Sequence, residues 1–280
     1  MADDGDANTH FFHSKLLDKR AKLSIRRIKN SQGTYMEDDR DIGEAAVSFF
    51  KVLMSATPPL SEHTTESLLR NIPKLVSTQQ NDQLLCKLTL EEIKQAVFQL
   101  DGHSAARIDG FTGVFFTHCW DLVGEDVYQA AREFMCGVPV SKSIASTLLT
   151  LIPKKDAPQT FSDFRPISLC TFVSKVFTKI LCNRLKAFLP SIISLEQSAF
   201  VQDREISDNI LLAQELVGAI DKQVMGHNAI FKLDMMKAFD RVSWDFLASL
   251  LLKFGFHPRF VHMVINNLTS SWFSVLVNGT

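Results

Sequence analysis

Apolar residues recur with the period of an α-helix through most of this chain, and this pattern restricts the fold more than any other feature. Val173, Val176, Phe177 and Ile180 fall on one face of a predicted helix, which Pro190 is expected to close. Equivalent patterns predict helices over 93–100, 123–134, 210–220, 244–254 and 258–269. Short apolar runs over 148–152, 229–234 and 272–277 are typical of strands. The chain is therefore predicted to be helix-rich and α+β.

Several boundaries of these elements carry recognisable end signals. Thr89 and Glu92 form a capping-box pattern, Ser243 is a predicted N-cap and Gly255 a predicted C-cap. Residues 55–82 are rich in Pro, Ser, Thr and Gln and are predicted to form a linker. The dipeptide Asn278-Gly279 favours a tight hairpin turn, so we expect that the preceding strand lacks the hairpin partner toward which it turns.

The composition excludes several classes of protein. With 280 residues, 46% of them hydrophobic, 12 Gly and 9 Pro, the chain is neither collagen-like nor intrinsically disordered. Five widely spaced cysteines without a CxxC pair argue against a disulfide framework or a zinc knuckle. The first residues are acidic and no apolar run approaches the roughly 20 residues of a membrane span. We expect a soluble intracellular protein, nuclear or cytoplasmic, without a membrane partner.

Charge is balanced overall, with 30 Lys and Arg against 31 Asp and Glu, but it is segregated along the chain. Five cations near the N-terminus follow steps of four and three and would share one face of a helix: Lys15, Lys19, Lys22, Arg26 and Lys29. Two interpretations fit this face equally well, a solvated surface helix and a contact with a phosphate backbone. A second basic stretch runs from 152 to 186.

Asp234 ends a predicted strand and is followed within six residues by Lys237, Phe239 and Asp240. A carboxylate in this setting suits a divalent metal, because Mg²⁺ takes one or two carboxylates plus substrate phosphates. On spacing alone, a strand-ending Asp that caps the following turn is the favoured interpretation.

Several segments taken together favour the metal-binding interpretation of Asp234. They are GDANTHFFH at 5–13, DGF at 109–111, LIPKK at 151–155, DFRPISL at 163–169, EQSAFV at 196–201, DNI at 208–210 and KLDMMKAFDRV at 232–242. Read in order, they resemble the reverse transcriptases of LINE-type non-LTR retrotransposons, and the resemblance spans nearly the whole chain. The segments DFRPISL and KLDMMKAFDRV are the specific ones.

The resemblance implies a right-hand polymerase fold with helical fingers followed by a palm. It divides the chain into a basic helix and linker over 1–88, fingers over 89–228 and the start of the palm over 229–280. The implied reaction is RNA-directed DNA synthesis, in which dNTPs are added to a primer 3′-hydroxyl with an RNA template, a DNA primer and two Mg²⁺ ions.

The resemblance also assigns roles to individual residues. Asp234 matches the first catalytic carboxylate and metal ligand of the palm, and the Met235 carbonyl matches a further ligand beside the nucleotide. The backbone amides of Lys237 and Ala238 would face the triphosphate. Phe239 would lie under the sugar, while Lys154 and Arg165 match the fingers cations that hold the triphosphate. We expect these two cations to approach each other and to face Asp234.

Some features depart from the family pattern. Residues 104–110 lack the family's usual Pro-Gly-Pro, and Asp203 replaces a usual Gly, which tolerates a positive φ better than Asp if that position needs one. The family's Ala-Asp-Asp hairpin has no apolar-flanked match among the 280 residues, so we expect a truncated domain that is inactive alone. A non-catalytic nucleic-acid-binding remnant and the product of a pseudogene are the alternatives, and whether the chain is an enzyme stays open.

Overall fold

The computed structural model describes residues 24–30, 32–55, 61–102, 109–220, 222, 228–235, 238 and 241–279. Helices dominate, as predicted. They are α1 (Asp39–Met54), α2 (Glu62–Leu69), α3 (Thr78–Leu84), α4 (Leu90–Phe98), α5 (Gly113–His118), α6 (Trp120–Met135), α7 (Lys142–Ala145), α8 (Phe172–Lys186), α9 (Leu189–Ile192), α10 (Ile206–Gly218), α11 (Trp244–Phe254) and α12 (Pro258–Thr269). The strands are β1 (Ile28–Lys29), β2 (Tyr35–Met36), β3 (Ser146–Pro153), β4 (Phe164–Cys170) and β5 (Trp272–Leu276). This is a helix-rich α+β arrangement.

The larger hydrophobic core lies among the helices and contains the apolar faces that the sequence predicts for α4, α6 and α8, together with buried residues of α12. Phe134 of α6 stacks on Phe177 of α8 with ring centroids 4.8 Å apart. Phe116 of α5 stacks on Phe172 at 4.5 Å. Aromatic side chains bury large apolar areas, so these stacks make α8 the centre of the helical core.

A buried ion pair joins three of these helices. Thr89 caps α4 by accepting the Glu92 N–H at 3.2 Å, which is the first half of the predicted capping box. The second half does not form, because the Glu92 side chain has another partner. The Glu92 carboxylate binds Arg184 of α8, at 2.6 Å from Nε and 2.8 Å from Nη2. Arg184 also donates to the carbonyl oxygens of Leu84 and Cys86 at 2.8 and 3.0 Å. Burial by itself lowers the pKa of Arg184, but Glu92 outweighs burial and leaves that pKa above its ordinary value.

A mixed three-stranded sheet has the order β4-β3-β5. Strands β3 and β4 are antiparallel, with Leu149 opposite Ser168. Strand β5 runs parallel to β3, so the strand before Asn278-Gly279 already has a partner there. Asn278 and Gly279 both have positive φ, as the turn signal predicts. Alternate residues of β3 are buried on one face.

The smaller core lies between α1 and that sheet. It contains Ile42 and Phe50 of α1, Leu149 of β3 and Phe161 from the connection between β3 and β4. Asn278 ties this unit together: its side chain accepts the Ile25 N–H at 2.7 Å and donates to the Ile25 carbonyl at 3.1 Å. These contacts join residues 24–55 to the same sheet as β3.

The predicted linker over 55–82 is wrong as a description of its secondary structure. This stretch contains α2 and most of α3, and Ser77 begins α3 with a full capping box to Gln80. Val76 and Leu84 are buried in the helical core. Polar composition suggested a linker, but capping hydrogen bonds and a few buried apolar side chains are enough to hold short helices.

The predicted basic helix does not include its last two cations. Residues 24–27 are irregular and Lys29 lies in β1, so Arg26 and Lys29 are not on a helical face. Ile28 is completely buried and pairs with Met36 of β2, and the Lys29 N–H donates to the Gln159 carbonyl at 2.8 Å. Burial of a β-branched residue and ladder pairing override the helical spacing here. Lys15, Lys19 and Lys22 lie outside the described residues.

The predicted strand over 229–234 is also wrong, since the structure leaves this stretch irregular. Phe231 and Leu233 are 85% and 91% exposed. A strand is stabilised by ladder hydrogen bonds and cross-strand side chains, and no strand of the described residues pairs with this stretch.

The helix ends follow the sequence closely, with one exception. Ser243 accepts the Phe246 N–H at 3.3 Å at the start of α11, and Gly255 ends that helix with a φ of 95°. Pro190 does not close α8, which ends at Lys186; it lies in the first turn of α9, where its missing N–H costs little. No helix in the described ranges is both long and apolar enough to cross a membrane.

Candidate nucleotide-binding site

The β3–β4 hairpin brings the two predicted fingers cations to the same end of the sheet. Arg165 of β4 lies directly opposite Ile152 of β3, and both are exposed. Lys154 follows β3 and continues the ladder, because its N–H donates to the Asp163 carbonyl at 2.8 Å. Its Nζ donates to the Ser162 carbonyl at 2.8 Å. Lys154 and Arg165 thus lie at the loop end of the same hairpin, two ladder positions apart.

The connection between these cations, which we call the fingertip loop (residues 154–163), is organised by the Asp163 carboxylate. Its Oδ2 accepts the backbone N–H groups of Gln159 and Thr160 at 2.9 and 3.0 Å. Its Oδ1 lies 2.9 Å from Lys155 Nζ. The hydrogen bond from Lys155, followed by those two amides, holds the pKa of Asp163 well below its usual range. Asp163 therefore remains ionised through the physiological range.

Residues 24–55 pack against the fingertip loop and form hydrogen bonds with it. Phe161 is only 3% exposed and packs against Phe49 and Phe50 of α1, with centroid distances of 5.7 and 6.3 Å. Lys29 donates to Gln159 twice, from its backbone N–H at 2.8 Å and from Nζ to Oε1 at 3.3 Å. The loop is thus packed against a core and is not a free surface turn.

Asp234, the predicted catalytic carboxylate, lies in the irregular exposed stretch 228–235. Met235 and Ala238 are exposed as well. Lys237 and Phe239 lie outside the described residues. Within the described part of the chain, no group of three or more His, Cys, Asp or Glu residues is placed to hold a metal ion. That Asp234 faces Lys154 and Arg165 remains a prediction.

The described members of the N-terminal cationic set lie in and beside the β1–β2 hairpin. The Lys29 ammonium is 4.8 Å from the centre of the Tyr35 ring, and the Arg27 guanidinium lies over the same ring at 3.6 Å. Arg27 also pairs with Glu37 at 3.3 Å. Arg26 is exposed. Arg27 and Lys29 therefore already interact with side chains of the protein itself.

One residue of the site, Asp163, has a role that the sequence analysis does not assign, while the positive φ considered for Asp203 is observed. Asp163 was assigned no role, although Thr160 and Asp163 have the spacing of a capping box and the structure forms one there. Asp203, which replaces a usual Gly, does adopt a positive φ, of 60°. Of the segment 104–110, residues 104–108 lie outside the described residues.

A comparison with protein families gives the class. Residues 152–279 match the model of the family described as "Reverse transcriptase (RNA-dependent DNA polymerase)". This range begins at the end of β3 and includes Arg165 and Asp234, together with the full DFRPISL and KLDMMKAFDRV segments. The match covers 128 of the 280 residues, so the similarity to reverse transcriptases is located in residues 152–279.

Two similar proteins come from transposable elements. The "Transposon TX1 uncharacterized 149 kDa protein" of Xenopus laevis is 31% identical over 258 residues, which is 92% of this chain and 20% of that protein. The "Retrovirus-related Pol polyprotein from type-1 retrotransposable element R2" of Nasonia vitripennis is 25% identical over 191 residues, 68% of this chain and 17% of that protein. The chain thus spans about a fifth of the length of these relatives. Its resemblance to reverse transcriptases of LINE-type non-LTR retrotransposons is confirmed.

Proposed function

We propose that this chain supplies the fingers and the first palm segment of an RNA-directed DNA polymerase. In this proposal residues 1–88 precede the fingers, residues 89–228 form them and residues 229–280 begin the palm. The reaction is addition of dNTPs to the 3′-hydroxyl of a DNA primer on an RNA template. The observation that carries the proposal is the β3–β4 register, which juxtaposes Lys154 and Arg165 inside the matched family range.

The two cations are suited to different parts of a triphosphate. Arg165 presents a planar fork of donors that can bind phosphate oxygens bidentately, while Lys154 acts as a point charge. The Lys154 ammonium already has one carbonyl partner, Ser162, and retains two further donors for a phosphate. Charge on the departing pyrophosphate is stabilised best by cations that are positioned in advance.

Asp234 would hold the metal in this proposal. Its carboxylate and the Met235 carbonyl are hard oxygen donors, which suit Mg²⁺ when substrate phosphates complete the coordination. Two bound Mg²⁺ ions would stabilise the entering and leaving oxygens of the phosphoryl transfer. The chain's own residues then bind and orient the nucleotide: the amides of Lys237 and Ala238 face the triphosphate, and Phe239 packs under the sugar.

We propose further that the 280-residue chain does not synthesise DNA by itself. Asp234 supplies one carboxylate where the family uses three, and the 280 residues contain no apolar-flanked Asp-Asp pair. The chain, with Asp234→Asn as its comparison, should give no extension of a primed RNA template in Mg²⁺ or Mn²⁺. Extension that disappears in Asp234→Asn would contradict this proposal.

A non-catalytic nucleic-acid-binding role is the second candidate, favoured by the exposed, irregular stretch around Asp234. The cations Lys15, Lys19, Lys22, Arg26 and Lys29 would then contact phosphates, and these contacts are also compatible with the polymerase proposal. The two candidates differ in nucleotide binding, which only the first requires.

The test of the polymerase proposal is the affinity of the chain for a fluorescent dTTP analogue, measured by anisotropy. Lys154→Gln and Arg165→Gln should each weaken binding about tenfold, because each removes a charge-assisted hydrogen bond to the phosphates. Lys253→Gln and Arg259→Gln alter exposed cations on α11 and α12 and serve as matched controls. Equal affinities in all four variants would refute the assignment of Lys154 and Arg165.

A further inference from the structure

We propose that Asp163 is a positioning residue for nucleotide binding, because it fixes the fingertip loop between the two cations that hold the triphosphate. This inference rests on the proposed function of Lys154 and Arg165. It adds a residue that itself touches no nucleotide and acts by setting where those cations lie.

The first argument is that one carboxylate closes the loop from within. Asp163 accepts from the amides of Gln159 and Thr160 and from the Thr160 hydroxyl, the last at 3.3 Å, and it pairs with Lys155 at 2.9 Å. These contacts connect Asp163 to Lys155 near the start of the loop and to Gln159 and Thr160 near its end. Hydrogen bonds to an ionised acceptor are about twice as strong as neutral ones, so Asp163 holds these parts firmly.

The second argument is the position of Asp163 relative to the cations. Its backbone carbonyl receives the Lys154 N–H, and the neighbouring carbonyl of Ser162 receives Lys154 Nζ. Arg165 follows two residues later in β4. A shift of residue 163 therefore moves the anchor of Lys154 and the start of the strand that carries Arg165.

The third argument concerns how much nucleotide affinity is lost when the Asp163 carboxylate is removed. Phe161 is buried against α1 and Gln159 is bonded to Lys29, so the loop stays tethered when the Asp163 carboxylate is removed. The variant loop should lose its order around Lys155 and Thr160 without detaching from the core. Loss of a supporting partner costs a metal-binding side chain roughly 10–100-fold, and this tether favours the lower end of that range.

Three substitutions separate the contacts. Asp163→Ala removes all the side-chain hydrogen bonds and the ion pair, while Asp163→Asn keeps an oxygen for the two amides and loses the charge that pairs with Lys155. Lys155→Gln removes the ion pair from the other side. The control is Asp156→Asn, which removes an exposed carboxylate from the same loop. Circular dichroism establishes that each variant is folded, and if Asp163→Ala does not fold, Asp163→Asn and Lys155→Gln carry the test.

The assay is dTTP affinity in the wild-type chain and in the Lys154→Gln/Arg165→Gln background. We expect Asp163→Ala to weaken binding roughly tenfold, Asp163→Asn and Lys155→Gln to weaken it less, and Asp156→Asn to leave it unchanged. In the double-variant background Asp163→Ala should have no further effect, because residues that act through one another are not additive. A role confined to general stability would not produce this non-additivity.

The outcomes that overturn the inference are distinct from failure of the proposed function. If the cation variants weaken binding but the Asp163 and Lys155 variants do not, Asp163 is not a positioning residue and the proposed function stands. Equal weakening in both backgrounds would mean that Asp163 acts independently of the cations, which also refutes the inference. If the cation variants themselves have no effect, the proposed function fails and the positioning role fails with it.

Discussion

Replacement of Arg184 by Met should be among the most destabilising single changes in this chain. The Arg184 side chain is 6% exposed and its guanidinium joins α8 to Glu92 and to the carbonyl oxygens of Leu84 and Cys86. Met occupies a similar volume but leaves the Glu92 charge and two carbonyl oxygens without their donor. Breaking a buried pair costs about 3–5 kcal/mol. Glu92 is 24% exposed and can regain some water, so we expect a loss of about 3 kcal/mol.

The exposed pair formed by Arg40 and Glu44 provides the matched control. Its atoms are 3.1 Å apart, but the side chains are 85% and 69% exposed. Arg40→Met should therefore cost no more than about 0.5 kcal/mol. Urea unfolding followed by far-UV circular dichroism measures both variants, with equal slopes expected. If Arg184→Met and Arg40→Met differ by less than about 0.5 kcal/mol, the ion pair does not join the helices as we infer.

Three further predictions follow from other interactions. The pKa of Asp163 is lowered by folding, so its contribution to the unfolding free energy is present above about pH 4 and is lost as the pH falls below that value. The difference in unfolding free energy between wild type and Asp163→Asn should therefore be constant from pH 5 to 7 and shrink on further acidification. Asn278→Ala removes the hydrogen bonds to Ile25, so it should destabilise the fold by about 1–3 kcal/mol and speed hydrogen exchange of residues 24–29. The control Asn183→Ala loses one exposed hydrogen bond to Gln99 and should have neither effect. Replacing the four cations Lys15, Lys19, Lys22 and Arg26 by Gln should flatten the salt dependence of single-stranded RNA binding by about 0.7 for each phosphate that these cations neutralise, and an unchanged slope would mean that they neutralise none.

The sequence predicted those elements whose signals are local. The faces of α4 and α8, the caps at Thr89 and Ser243 and the left-handed Gly255 depend on residues within one or two turns of the chain. Periodicity and capping chemistry are readable at that range.

Elements decided by distant contacts were predicted poorly. Residues 24–29 have helical spacing, yet Ile28 is buried beside α1 and Lys29 bonds to Gln159, more than a hundred residues away. The stretch 229–234 has strand composition, but an isolated strand does not form without a partner. Neither outcome can be read from a short window of sequence.

The candidate site shows the same division. The roles of Lys154 and Arg165 are predictions that rest on the motifs that carry them, whereas the role proposed for Asp163 depends on how the loop returns to the sheet. The Thr160 and Asp163 spacing signals a cap, but the partnership with Lys155 and the packing of Phe161 on α1 appear only in three dimensions. The assignment of Asp234 stays a prediction that rests on the resemblance.

The most direct test of the account is the Mg²⁺ dependence of dTTP binding in the wild-type chain, Arg165→Gln and Asp234→Asn. If one triphosphate contacts Arg165 and carries a metal that Asp234 binds, Arg165→Gln weakens binding with and without Mg²⁺. Asp234→Asn should remove only the gain in affinity that Mg²⁺ provides, while Asp203→Asn, at another carboxylate, should keep that gain. An equal Mg²⁺-dependent gain in wild type and Asp234→Asn would contradict the claim that these residues serve one nucleotide site.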